Sequence, residues 1–206
     1  MTSGEGSSPQ PDDLMSSTPP KPARADVIDL AHRWFLDGRR IDMQQLARES
    51  GIGRATLYRW WGSREVVIGE VVWRIIAEAI RRVEARGPSG SDDPAGRFVR
   101  NFGTLADTVR TFEPLTRFVA DDPEYGLRVL TSGYTVVQGR MIDWAASRLT
   151  DLPDLDPRIE VRDLAYAIVR VGEAFVWSDI ITGDPPQSGK ATAMVELLVS
   201  AASGKR

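Results

Sequence analysis

The 206-residue chain has no cysteine and one histidine. The first absence excludes a disulfide scaffold, a thiolate metal site and a cysteine nucleophile, and it fits a reducing compartment. A lone His32 leaves no histidine cluster to hold a metal, so neither metal nor cofactor is expected. No apolar run approaches the roughly 18–20 residues that span a bilayer, and the start lacks the charged and apolar regions of a secretory signal. The expected location is therefore the cytoplasm. Also missing are a G-x-S-x-G elbow, a P-loop and an H-E-x-x-H pair, which speaks against an enzyme. His32 beside Arg33 and Trp34 reads as helix structure, and Asp121-Asp122 before Pro123 as a turn and helix start. Alternating apolar runs and repeats are lacking too, so a sheet or solenoid is not expected.

The chain does contain 42% apolar and 27% charged residues, enough for a real core. Its net charge of −3 is unevenly spread. Residues 1–23 hold one Lys against three acids, 24–65 eight Arg against six acids, and 66–206 seventeen basic against twenty acidic residues. A short basic region thus precedes an acidic body. The segment 1–23, rich in Pro, Ser, Gly and Thr, has little to bury and reads as a disordered tail.

From Arg24 the pattern is helical throughout, and the fold class is all-α. Val27, Ile28, Ala31, Trp34 and Phe35 paint one helix face, closed by Asp37-Gly38. Short helices follow over 43–50 and 54–61, then a long one from about 64 to 86 that stops at Gly87-Pro88. Further helices are predicted over 94–111, 114–121, 123–131, 134–150, 157–182 and 188–203, punctuated by Pro and Gly.

The informative stretch is IDMQQLARESGIGRATLYRWWGSRE, residues 41–65. Asp42 can cap the helix starting at Met43, with Gln45 reaching back to the Asp42 amide. Met43, Leu46 and Ala47 face inward. Gly51 supplies a left-handed turn and Ile52 plugs the core beneath it. Leu57 and Trp61, four apart, pack inward and leave Arg54, Ala55, Thr56, Tyr58, Arg59 and Trp60 outward. Two short helices joined by a glycine turn, the second polar outside, form a helix-turn-helix.

Such a helix fits the DNA major groove. Arg54 can donate twice to guanine, Thr56 can bond a base, and Ala55 permits close approach. Tyr58 and Arg59 suit phosphate contacts, as does Arg64 at the start of the long helix. Asp42 and Gln44, at the front of the preceding helix, and Trp60 complete the candidate DNA-facing set.

Residues 27–73 resemble the DNA-binding domain of the TetR family of bacterial regulators. The resemblance rests on Leu46-Ala47, Ser50-Gly51-Ile52, Thr56-Leu57-Tyr58 with Trp61, and Ser63-Arg64-Glu65. Gly53 stands where the family usually has a capping Ser or Thr, and the link from Phe35 to Asp42 is shorter than usual. GRATLYRWWGSRE further resembles the QsdR-type subgroup, regulators tied to degradation of lactone quorum signals. The resemblance implies a DNA-binding domain over 24–65 and an effector-binding and dimerisation domain over 66–206. It also implies a homodimer on a near-palindromic DNA operator, repression, and release by a small-molecule effector, with the long helix tilting like a pendulum between the two domains.

The predicted helix 157–182 is apolar on two sides. One carries Leu164, Ile168 and Phe175, the other Tyr166, Val169, Val176, Trp177 and Ile180. Such a helix is central to a core or shared with a partner. Paired with 188–203, which offers Met194, Leu197, Leu198, Ala201 and Ala202, it is a candidate dimer interface. Phe98, Phe102, Tyr134, Met141, Trp144 and Phe175 are candidate walls of an effector pocket, with Arg170 and Glu173 as polar anchors. A helical adaptor that binds no DNA is the competing reading.

Overall fold

A computed structural model describes residues 23–87 and 93–204, so the expected tail lies outside the described residues except for Ala23. The described residues form eleven helices and no strand. α1 (Arg24–Leu36), α2 (Met43–Glu49), α3 (Arg54–Trp61) and α4 (Arg64–Glu84) come first. After them follow α5 (Pro94–Thr111), α6 (Glu113–Asp121), α7 (Pro123–Thr131) and α8 (Val136–Thr150). The chain ends with α9 (Val161–Val176), α10 (Ser178–Ile181) and α11 (Ser188–Ala202).

Most helix starts are fixed by short polar side chains. Asp42, Ser63, Asp93, Asp122 and Thr135 each accept a hydrogen bond from a backbone N–H of the first turn. Pro94, Pro114 and Pro123 occupy first-turn positions where no intrahelical donor is lost.

The long helix predicted over 157–182 divides in the structure. Asp156 binds Arg158 through both side chain and backbone, which holds 156–158 in a turn. That contact pulls the Asp156 carboxyl down to about 2. Glu160 then caps α9, whose end comes at Val176. The Ser178 hydroxyl donates to the Phe175 and Pro185 carbonyls, folding the next segment back as the one-turn α10. Similarly, α8 begins at Val136, leaving Tyr134 in the preceding turn.

One continuous core joins all these helices. α4 is its shared strut: 21 residues, about 31 Å at 1.5 Å per residue. Val67, Ile68, Val71 and Val72 are buried near its start, and Ile76, Ala79, Ile80 and Val83 farther along. Polar clasps fasten the same helix on several sides. Arg74 pairs with Asp29 of α1, and the Arg140 guanidinium grips both oxygens of Glu70 at 2.8 and 3.2 Å. Glu84 accepts from the Trp144 indole and pairs with Arg148, each at 2.9 Å. At Gly69 the backbone passes so close to Thr135 that an added Cβ would lie 2.6 Å from the threonine Cβ.

Candidate nucleic-acid interface and effector cavity

The helix-turn-helix is built from its buried side outward. Leu46 and Leu57 are fully buried and Ala47 nearly so, which brings α2 and α3 into contact. Gly51 has φ +67°, a conformation costly for any residue with a Cβ, and lets the chain reverse after α2. Ile52 lies half-buried against the core below the turn. Asp42 caps α2 by accepting from the Gln45 amide at 2.7 Å. The reciprocal half of the expected capping box is absent, because the Gln45 side chain donates to Glu49 four residues on, at 3.0 Å. Gly53 precedes α3 and offers no side-chain cap.

With Leu57 inside, α3 presents Arg54, Ala55, Tyr58 and Arg59 to solvent, and Thr56 and Trp60 partly so. Asp42 and Gln44 are exposed on the neighbouring helix. Trp61 is half-buried and touches Trp60 edge-on, with ring centroids 5.4 Å apart. Two further cations join this surface. Arg48 shares a shallow concavity with Gln44 and Arg54, and the Arg24 guanidinium sits 5.7 Å from the Trp60 ring centroid. Arg48 was legible as an exposed position of α2, whereas only the tertiary structure brings Arg24 alongside α3.

Arg64 is more committed than its sequence position suggests. Its Nε donates to the Ile41 carbonyl at 2.7 Å, and its guanidinium lies 4.9 Å from the Tyr125 ring centroid. It ties the α1–α2 link to the start of α4 and to α7. The terminal nitrogens make no hydrogen bond within the described residues.

A second feature lies deeper. A cavity of about 80 Å³ lies among α4, α5, α7, α8 and α9, with Ile76, Leu105, Val109, Leu130, Val137 and Val169 among its apolar walls. Of the residues expected to line an effector pocket, Phe102, Met141 and Glu173 do so. Phe98 and Trp144 instead stack against each other in the core, centroids 5.8 Å apart. Phe175 is half-buried outside this lining, and Tyr134 is 79% exposed beside Trp61 and Arg128, because it precedes α8 and projects away from the bundle. Arg170 is exposed, donating to the Thr131 carbonyl at 3.0 Å and to Glu173 at 2.8 Å.

Glu173 is the polar group in this cavity wall. Burial outweighs the favourable Arg170 charge and raises its carboxyl to about 7. Gly172 beside it is required by packing: a Cβ there would collide with the Phe102 ring. His32, by contrast, sits half-buried in α1 with its pKa lowered, chiefly by desolvation and then by Arg74, and belongs to neither feature.

Residues 93–200, more than half of the chain, match the family model of the tetracyclin repressor-like C-terminal domain. The chain belongs to the TetR family of transcriptional regulators. Its fold agrees. The solved transcriptional repressor QsdR of R. erythropolis, from the TetR family, superposes with a TM-score of 0.77 at 23% identity, covering 86% of this chain and 94% of that one. PfmR of Thermus thermophilus, a TetR-family regulator, covers 84% of this chain and 96% of its own at 18% identity, but its TM-score of 0.36 carries no argument. No curated protein matches the sequence. Within this TetR-family chain the matched region begins at Asp93, the cap of α5, so the helix-turn-helix assignment rests on its own geometry and on the fold. Among the described residues no helix is long and apolar enough to cross a membrane, and no His, Cys, Asp or Glu cluster could hold a metal ion.

Proposed function

We propose that this chain is a cytoplasmic, ligand-responsive repressor that binds a near-palindromic operator as a homodimer. The observation carrying the DNA reading is the outer face of α3, where Arg54, Ala55, Tyr58 and Arg59 stand exposed on a helix anchored by Leu57. Arg54 and Thr56 read base edges, while Tyr58 and Arg59 fix the helix on phosphates. Asp42, Gln44 and Trp60 flank the groove. Arg64 acts by holding the Ile41 carbonyl, and so the placement of α2 beside the recognition helix.

The dimer surface is α9 and α10 with α11. Val169 and Val176, on the second apolar side of α9, and Trp177 just after it are buried within the subunit. What remains open is Tyr166 (52% exposed), Ile181 (54%), Met194 (38%) and Leu197 (60%), four of the seven exposed large hydrophobic residues described. Two copies joined there would set two recognition helices roughly 34–36 Å apart, on successive major grooves.

The effector site is the cavity walled by Phe102, Met141 and Glu173. At about 80 Å³ it is smaller than the roughly 300–1,000 Å³ of ligand pockets, so occupation must push its walls apart. Met141, unbranched and half-buried, is the easiest to displace. That movement reaches α4 through Ile76, and α4 begins beside α3. A lactone, the ligand class suggested by the QsdR-type resemblance, would accept a hydrogen bond from protonated Glu173.

Selection of bound duplexes from a genomic fragment pool, followed by fluorescence anisotropy, tests the DNA reading. Arg54→Ala should relax preference at one base position, and Tyr58→Ala and Arg64→Ala should weaken every duplex by about 1 kcal/mol or more. Affinity should fall steeply with salt, as phosphate contacts require and an apolar adaptor surface would not. Unchanged binding in all three variants overturns the assignment. Failure of every acyl-homoserine lactone and γ-butyrolactone to release the duplex removes the lactone reading alone.

A further inference from the structure

A cleft of about 270 Å³ lies where the α1–α2 link and the start of α4 meet α6 and α7. It is separate from the cavity around Glu173, with no lining residue in common. Four guanidiniums line it, those of Arg39, Arg40, Arg64 and Arg117, against the two carboxylates of Asp121 and Asp122.

Their existing bonds sort these cations. Arg39 is spent on both oxygens of Glu49, and it also lies 3.6 Å from the Trp34 ring centroid. Arg117 is spent on Glu113 and on the Leu36 carbonyl. Arg40 makes no hydrogen bond or ion pair with the described residues, and Arg64 uses only Nε. A third group is also idle. The Tyr125 hydroxyl oxygen is buried with no hydrogen-bond partner among the described residues, an unfavourable position that a ligand oxygen would relieve. Burial raises its pKa although Arg64, Arg128 and Arg40 all pull the other way, so it is a proton donor at neutral pH.

We propose that this cleft binds a small anionic molecule, a carboxylate or phosphate ester, through Arg40, the terminal nitrogens of Arg64 and the Tyr125 hydroxyl. Phe35, Ile68 and Phe118 form an apolar floor that strengthens charge-assisted bonds by excluding water. Asp121 and Asp122, both exposed, line the same cleft, so the ligand must seat its charge on the side of Arg40 and Arg64. Arg40 belongs to the link before α2, whereas Tyr125 belongs to α7. A bound anion therefore bridges the DNA-binding half and the acidic body and resists movement between them. This second control of operator affinity rests on the DNA-binding reading; the binding site itself does not.

Isothermal titration of the full-length protein with citrate and with inorganic phosphate, at constant ionic strength set by chloride, tests the site. Saturable binding of at least one of them is expected, one per chain, weakened about tenfold or more by Arg40→Ala and several-fold by Tyr125→Phe. Arg40 is exposed, so its substitution should leave the thermal melt in place. No saturation by either anion, or equal binding by both variants, overturns the proposal. A parallel duplex titration separates the alternative source of phosphate. If Arg40→Ala lowers duplex affinity and flattens its salt dependence while neither small anion saturates, the cleft is a DNA contact and the proposal falls. If anions bind as expected but the wild type ignores every duplex, the DNA reading fails and the site stands.

Discussion

At the scale of single residues, Glu173 shows how burial and charge contend. Arg170 holds its carboxylate at 2.8 Å, yet the apolar surroundings raise it from the usual 4.5 to about 7. Between those values the folded chain binds a proton that the unfolded chain has lost, so stability falls as pH rises through that window and levels off above it. In urea titrations, Glu173→Gln should abolish this decline, gaining on the wild type between about pH 5 and about pH 8 by on the order of 2 kcal/mol. An equal decline in both proteins would place the charge in water. Residue roles were unevenly legible in the sequence. Asp42, Gly51 and Leu57 act locally, and spacing alone exposes a cap, a turn and an inward position. Arg64 does not: its bond to the Ile41 carbonyl spans 23 residues, and a pattern that records only local charge does not register it.

At the scale of elements, the helices were readable wherever proline or glycine marks an end, as at Pro94, Pro114 and Pro123. The failure at 157–182 has the opposite cause. Its apolar pattern runs on without interruption, and the breaks come from Asp156 with Arg158 and from Ser178 reaching Pro185, bonds that periodicity does not register. The same holds for the cavity. Large side chains on three helices suggested its walls, but Phe98 and Trp144 turn to each other, and Trp144 answers to Glu84 instead. That contact is testable. Glu84→Ala leaves the indole N–H of a residue only 8% exposed without its acceptor and leaves Arg148 with Asp151 alone. A loss of about 1–3 kcal/mol is expected in the thermal melt, with Glu84→Gln costing less. Equal losses would mean that the hydrogen bond is not what holds the end of α4.

Across the whole chain a short basic stretch, 24–65, precedes an acidic body, 66–206. What the sequence could not resolve was which residues of α9 pack inside the subunit, because both of its sides are apolar. The open surface of Tyr166, Ile181, Met194 and Leu197 makes a direct prediction. Leu197→Asp should shift the protein from dimer to monomer in sedimentation velocity, with unchanged helicity, and should lower duplex affinity because the second recognition helix is lost. A dimer that survives this change must use another face.

The close approach of Gly69 and Thr135 carries a mechanical corollary. It stands five residues from the front end of α4 and fifteen from the rear, arms of about 7 Å and 22 Å at 1.5 Å per residue. A rod turning on that fulcrum is a reduction gear: movement at the rear arrives at the front about threefold smaller and reversed in direction. Large rearrangements around Glu84 would thus become fine adjustments beside α3, and a methyl group at position 69 would jam the pivot.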